Sequence, residues 1–128
     1  MGVFKVKAKV WNVFDNTRAT DVELTVDSGS TYTVLPSSLL EGLGVKPIRK
    51  VRLRLADNRV MEKDLGEVGV EIDGYRLTST PVVFGEEEVY LLGSVTMESL
   101  GLAPDVVKKK LVPVEAFLMQ YSNFSVDV

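Results

Sequence analysis

Asp27, Ser28, Gly29 and Ser30 are the most concentrated group of chemistry-bearing side chains in the sequence. They follow Val22, Glu23, Leu24, Thr25, Val26 and precede Thr31, Tyr32, Thr33, Val34, Leu35, so a carboxylate is set on a tight turn at the end of an apolar strand. The rest of the composition narrows what that carboxylate can do. Histidine and cysteine are both absent from the 128 residues. Ser-His-Asp hydrolysis, thiol nucleophiles, HExxH metal sites and zinc-thiolate sites are thereby excluded. Any catalysis must come from carboxylates, lysine or tyrosine. An Asp-Ser-Gly tripeptide alone is also an ordinary turn, because Asp and Ser bond their own backbone and Gly accepts positive φ.

The elements that must position this group read as a chain of short strands. Val6, Ala8 and Val10 alternate with Lys5, Lys7 and Lys9, the period-two pattern of a half-buried strand. A turn at Asp15, Asn16 and Thr17 and renewed alternation from Thr20 to Val26 predict a hairpin that delivers the chain to Asp27. Pro36 and Ser37 open a short helix with Leu39, Leu40 and Leu43 on its apolar face, stopped by Gly44. Val51 to Lys63 reads as a long exposed hairpin interrupted at Ala56 to Arg59, and its second strand runs on through Val68, Val70 and Ile72. Asp73-Gly74 is a turn, and Tyr75 to Phe84 is a further strand with Pro81 at an edge or a bend. Glu86, Glu87 and Glu88 are expected in a solvated loop. Leu91, Leu92 and Gly93 then lead into a helix from Val95 to Leu100 that stops at Gly101. Leu111 to Met119 is a last strand candidate, and residues 121–128 read as a partly disordered tail. The two halves echo each other, each giving strand, glycine turn and short helix.

Length and charge set the remaining bounds. We expect a single domain over residues 1–128 with a proper hydrophobic core. Fifteen basic and 18 acidic residues are interspersed, for a net charge of -3, so no large field invites nucleic acid. The alternating amino terminus lacks the apolar core of a secretory signal, and no run reaches the length of a membrane span. A cytoplasmic location, no membrane partner, no metal and no cofactor are expected.

Three motifs in order carry a family likeness. The chain resembles the retropepsin-like aspartic peptidases, the single-domain, homodimeric group that includes the retroviral proteases. Val26 to Ser30 with Val34-Leu35-Pro36 is similar to the catalytic strand and turn. Val51 to Lys63 is similar to the flap, and Leu91-Leu92-Gly93 with Glu98-Ser99-Leu100-Gly101-Leu102 to the glycine turn and helix packed behind the catalytic loop. The chain departs from the pattern at four places. Its flap tip reads Ala56, Asp57, Asn58, Arg59 in place of glycines. Ser94 and Val95 stand where many relatives have a basic residue followed by Asp or Asn, a polar brace under the site. Thr31 and Tyr32 replace carboxylates that bind substrate backbone in viral relatives, and the amino-terminal hairpin is longer.

The resemblance implies an all-β fold: a retropepsin-like closed β barrel with a flap hairpin, one or two short helices and a pseudo-two-fold within the chain. It also implies an aspartic endopeptidase with an acidic optimum. Peptide hydrolysis of this kind needs two facing carboxylates and the motif occurs once, so the active unit would be a homodimer carrying one Asp27 per subunit. By the same resemblance Asp27, Ser28 and Gly29 are the catalytic residues. Ser30 with the flap positions Leu55, Ala56, Asp57, Asn58 and Val60 would bind the polypeptide substrate, and Val34, Ile72, Val82 and Val83 are further candidate linings. Two other functions remain open on the sequence: an inactive dimerisation or peptide-binding module of the same fold, and an unrelated small barrel in which Asp27 only makes a turn.

Overall fold

A computed structural model describes residues 3–118; the expected tail at 121–128 and the end of the last predicted strand, at Met119, lie outside them. Among the described residues, nine strands and two helices run in the order β1 (Lys5–Asn12), β2 (Asp15–Val26), β3 (Thr33–Pro36), α1 (Ser37–Gly42), β4 (Arg49–Arg54), β5 (Val60–Ile72), β6 (Tyr75–Gly85), β7 (Leu91–Leu92), α2 (Ser94–Leu100), β8 (Leu102–Asp105) and β9 (Lys110–Pro113). The main sheet has the order β1-β2-β7-β3-β6-β5-β4, and β1 also pairs with β5. Those pairings close a ring of strands from which the β4–β5 hairpin projects. The ring has no open edge along its closed part.

Closure depends on a small residue. Trp11 of β1 pairs with Gly69 of β5, beside a register shift between Val68 and Val70. A Cβ at Gly69 would lie 2.0 Å from the Trp11 ring, so the indole occupies the space a side chain would need. Arg76 covers Trp11 at 4.1 Å from the ring centroid.

The pairings repeat under an exchange of halves. β1–β2 and β5–β6 are antiparallel hairpins; β2–β7 and β6–β3 are parallel pairs; β3–β7 and β1–β5 are antiparallel and map onto themselves. This is the internal two-fold expected from the echoing sequence halves. Val34 pairs with Leu91, so Leu35 corresponds to Leu92. Val26 pairs with Leu92 as Phe84 pairs with Leu35, which makes Gly85 the counterpart of Asp27. Leu24, Leu35, Leu40, Val68, Val82 and Leu92 are fully buried in the shared core. Each such side chain contributes about 1.5–3 kcal/mol by leaving water.

Local differences from the sequence expectation have local causes. The first hairpin turns earlier, at Val13-Phe14, because Asn12 pairs with Asp15 and its Oδ1 accepts the Phe14 N–H at 2.8 Å. Pro81 lies one residue before the β3–β6 ladder begins at Val82, where its missing N–H leaves that ladder intact. The last strand ends at Pro113. Its partner β8, which contains Pro104, carries no alternation that would announce it.

Candidate active site

Alternation along β2 sends Val22, Leu24 and Val26 inward and brings Asp27 to the rim half-buried. The Asp27 N–H donates to Leu92 O at 3.0 Å, the last bond of the β2–β7 pair, and the Ser30 N–H closes the turn on Asp27 O at 3.1 Å. Both carboxylate oxygens are held by the same turn. Oδ1 accepts the Gly29 N–H at 3.1 Å and Oδ2 accepts the Ser30 hydroxyl at 2.9 Å. Ser28 is exposed at the apex. A Cβ at Gly29 would meet only Asp27 Oδ1, at 3.4 Å, an ordinary contact. The isolated chain therefore has room for a side chain there.

The turn is clamped from behind by the start of α2. Ser94 N–H donates to Ser30 O at 2.8 Å and Val95 N–H to Thr31 O at 3.0 Å. Gly93 is required by close approach: a Cβ would fall 2.3 Å from the Tyr32 carbonyl carbon. A brace of side chains also runs beneath the turn. It is made by three buried threonines, not by Ser94 and Val95. Thr96 Oγ1 lies 2.7 Å from Thr33 Oγ1 and 2.8 Å from Thr80 Oγ1, and Thr33 Oγ1 accepts the Gly93 N–H at 3.1 Å.

Two cavities flank Asp27. One, of about 530 Å³, lies between the turn and the β4 strand and is lined by Gly29, Ser30, Tyr32, Val34, Leu53, Leu55, Val83 and neighbours. The other, of about 440 Å³, is lined by Val3, Phe4, Val26, Asp27, Ser28, Gly29, Pro104 and Val106. Asp27 is the sole carboxylate lining either cavity among the described residues. Beside the second cavity the β8–β9 ribbon exposes Val106 (56%) and Val107 (87%), and Val3 is 59% exposed.

The projecting hairpin is stiffened at its tip. Leu55 N–H donates to Arg59 O at 2.8 Å, Asn58 N–H to Leu55 O at 2.9 Å, and Asn58 takes φ 73°. Asp57 pairs with Arg59 at 2.6 Å.

A family model described as aspartyl protease matches residues 8–106. The chain belongs to this family. Among solved structures, it is similar to the EIAV protease complexed with the inhibitor HBY-793, with a TM-score of 0.57 and 15% identity over 89% of this chain and 91% of that one. No curated protein sequence matches the chain. The fold is that of the retropepsin-like aspartic peptidases, and family and fold together support aspartic protease activity.

Within this aspartic peptidase fold the expected site residues divide. Asp27, Ser28, Gly29 and Ser30 share one turn, and Ser30 and Leu55 both line the cleft. Ala56, Asp57 and Asn58 are exposed at the hairpin tip, and Val60, 40% exposed, does not line the cleft. Val34 and Val83 do line it. Ile72 and Val82 do not: both are buried in the core, because they fall on the inward face of β5 and β6. Thr33, Thr80 and Thr96 were missed. Each had a signal in its parity, since Thr33 shares a strand face with Leu35, Thr80 with Val82, and Thr96 a helix stripe with Leu100. Pro104 and Val106 had none, because their place beside Asp27 is set by the ribbon.

Proposed function

We propose that the protein is a homodimeric aspartic endopeptidase that cleaves extended or unfolded polypeptide using one Asp27 from each of two chains. The observation that carries this is the placement of Asp27 on the rim between a cleft and an exposed apolar surface, with both oxygens oriented by its own turn. The chain's internal repeat offers no second acid, since Gly85 stands at the corresponding position. A second copy is the source of the missing carboxylate. Exposed Val3, Val106 and Val107 give that copy an apolar surface next to the turn. The spare room at Gly29 fits the same picture, in which the glycine is needed by the approaching partner turn.

Two carboxylates in hydrogen-bond reach share one proton, because both cannot be charged cheaply at that separation. The ionised member takes a proton from a water held between them, and the water oxygen bonds to the scissile carbonyl carbon. The protonated member gives its proton to the carbonyl oxygen, forming a gem-diol. The leaving nitrogen is then protonated as the C–N bond breaks and one hydroxyl proton returns to the pair. Ser28, at the exposed apex, ties the two turns together. The substrate lies extended in the cleft beneath β4 while the stiff hairpin tip covers it, and Val34, Leu53, Leu55 and Val83 favour apolar side chains at the cleaved bond. The shared proton predicts an acidic optimum.

The test is cleavage of a denatured protein between about pH 3 and about pH 8 by the wild type and Asp27→Asn in parallel, with products identified by mass. Cleavage by the wild type alone supports the two-carboxylate mechanism. A folded wild-type dimer that cleaves nothing leaves the peptide-binding module as the better account.

A further inference from the structure

We propose that Thr96 is a positioning residue for Asp27, acting through a buried chain of hydroxyls that fixes one peptide plane. The Leu92–Gly93 peptide is a rigid unit with two ends. Its carbonyl accepts the Asp27 N–H at 3.0 Å, and its N–H donates to Thr33 Oγ1 at 3.1 Å. Thr33 Oγ1 in turn bonds Thr96 Oγ1 at 2.7 Å, and Thr96 bonds Thr80 Oγ1 at 2.8 Å. All three threonines are at most 2% exposed. The path from Thr80 on β6 to the Asp27 backbone is thus four hydrogen bonds and one planar peptide, and its three hydroxyl-bearing residues are buried.

Position along this path decides the role. Thr33 precedes Val34 at the exit of the Asp27 turn, Thr80 belongs to the far strand, and Thr96 is the only one of the three that bonds both others. It therefore couples the orientation of the peptide behind Asp27 to the β6 wall of the barrel. Hydroxyl chains of this kind polarise and stiffen one another, and half-broken ones leave a buried polar group unpaired. Two carboxylates that must share a proton tolerate little drift, so loosening the peptide plane should cost turnover before it costs substrate binding.

This inference rests on the proposed peptidase activity, and the experiment separates the two. Wild type, Thr96→Val and Thr96→Ser are compared for kcat, KM and pH profile at a temperature where all are folded, with Asp27→Asn as the blank. Valine keeps the shape and removes the hydroxyl; serine keeps the hydroxyl. We expect kcat for Thr96→Val to fall about tenfold with KM within about twofold, the pH profile to shift, and Thr96→Ser to recover most of the loss. Faster amide exchange at Gly93 and Asp27 in Thr96→Val is the second readout. A lower melting temperature with unchanged kcat, pH profile and exchange would mean that Thr96 only fills the core, and overturns the proposal. If Thr96→Val does not fold, the same readings are taken on Thr80→Val, where unchanged kcat and exchange overturn it equally. A wild type without activity sinks the peptidase reading instead, and amide exchange alone then decides whether the hydroxyl chain holds the turn.

Discussion

The Asp27 turn and the Glu86–Glu88 turn occupy equivalent places in the two halves of one ring, yet they are built for different ends. The first is held from inside and behind: its carboxylate is bonded by Gly29 and Ser30, and its carbonyls by Ser94 and Val95. The second is an exposed loop whose carboxylates reach outward, Glu86 to Lys63 and Glu87 to Ser38. At the position corresponding to Asp27 it carries Gly85. Acid residues are therefore more numerous in the turn that lacks the constraints. What distinguishes a site here is the number of groups that fix the carboxylate and the surfaces that flank it.

The sharpest way to break this comparison is to remove one carboxylate from each turn. Asp27→Asn should lower the cleavage rate by at least about 10³-fold, whereas Glu86→Gln should leave it within about twofold. Comparable losses in both variants, measured on the same denatured substrate, would end the distinction. The next largest effect concerns the apolar surface beside Asp27, which has no counterpart role in the second turn. Val107→Asp should weaken self-association by about 10²-fold, with activity per chain lost on dilution and regained at high concentration. Sedimentation and rate measured over one dilution series would show whether the two losses coincide.

The clamp behind the turn gives a third contrast, in stability. Gly93→Ala forces a methyl group against the Tyr32 carbonyl, where contacts of 2.3 and 2.4 Å leave no room, and should destabilise the fold by about 3 kcal/mol or more. Gly29→Ala meets only a 3.4 Å contact in the isolated chain. It should leave the monomer's denaturation midpoint nearly unchanged while reducing dimer and activity together. A large loss of monomer stability in Gly29→Ala would remove the spare room as support for a partner turn. Smaller still is Ser30→Ala, which deletes the 2.9 Å bond to Asp27 Oδ2 and should cost about 1 kcal/mol of orientation, seen as a few-fold drop in kcat.

Much of this arrangement was legible in the residue order. Period-two runs marked β1, β2, β4 and β5, glycines marked the ends of α1 and α2, and the echo of Leu39 to Val45 with Met97 to Leu102 anticipated the internal two-fold. Asp27 stood out because its Asp-Ser-Gly-Ser turn is followed in order by Val34-Leu35-Pro36 and Leu91-Leu92-Gly93, whereas Asp73, also at the end of an apolar strand, has no such company. Other features depend on register. Whether Val82 or Val83 faces the cleft differs by one residue along β6, and only the ladder with β3 and β5 decides it. β8 escaped because Pro104 breaks the strand pattern, although its edge position tolerates the missing N–H. The threonine brace escaped because hydroxyls at apolar parity look like tolerated core residues until their partners, 16 and 63 positions away, are known.

The smallest predicted effect concerns the second turn itself and its response to pH. Lys63, at the base of the projecting hairpin, holds the Glu86 carboxyl below its ordinary value of 4.5, chiefly by hydrogen bonding and then by charge. Because the folded value is depressed, the stabilisation is fully present above the ordinary value and is lost as the pH falls through the folded one. Glu86 is exposed and Lys63 only half-buried, so the pair's contribution is screened and small. Lys63→Met should therefore lower the melting temperature slightly at neutral pH and not at all once Glu86 is protonated. An acidic working range would put the enzyme near the region where this tie between hairpin base and second turn weakens. If Lys63→Met also left the pH profile of cleavage unchanged, the Glu86 turn would be confined to stability, while the Asp27 turn alone would answer for the chemistry.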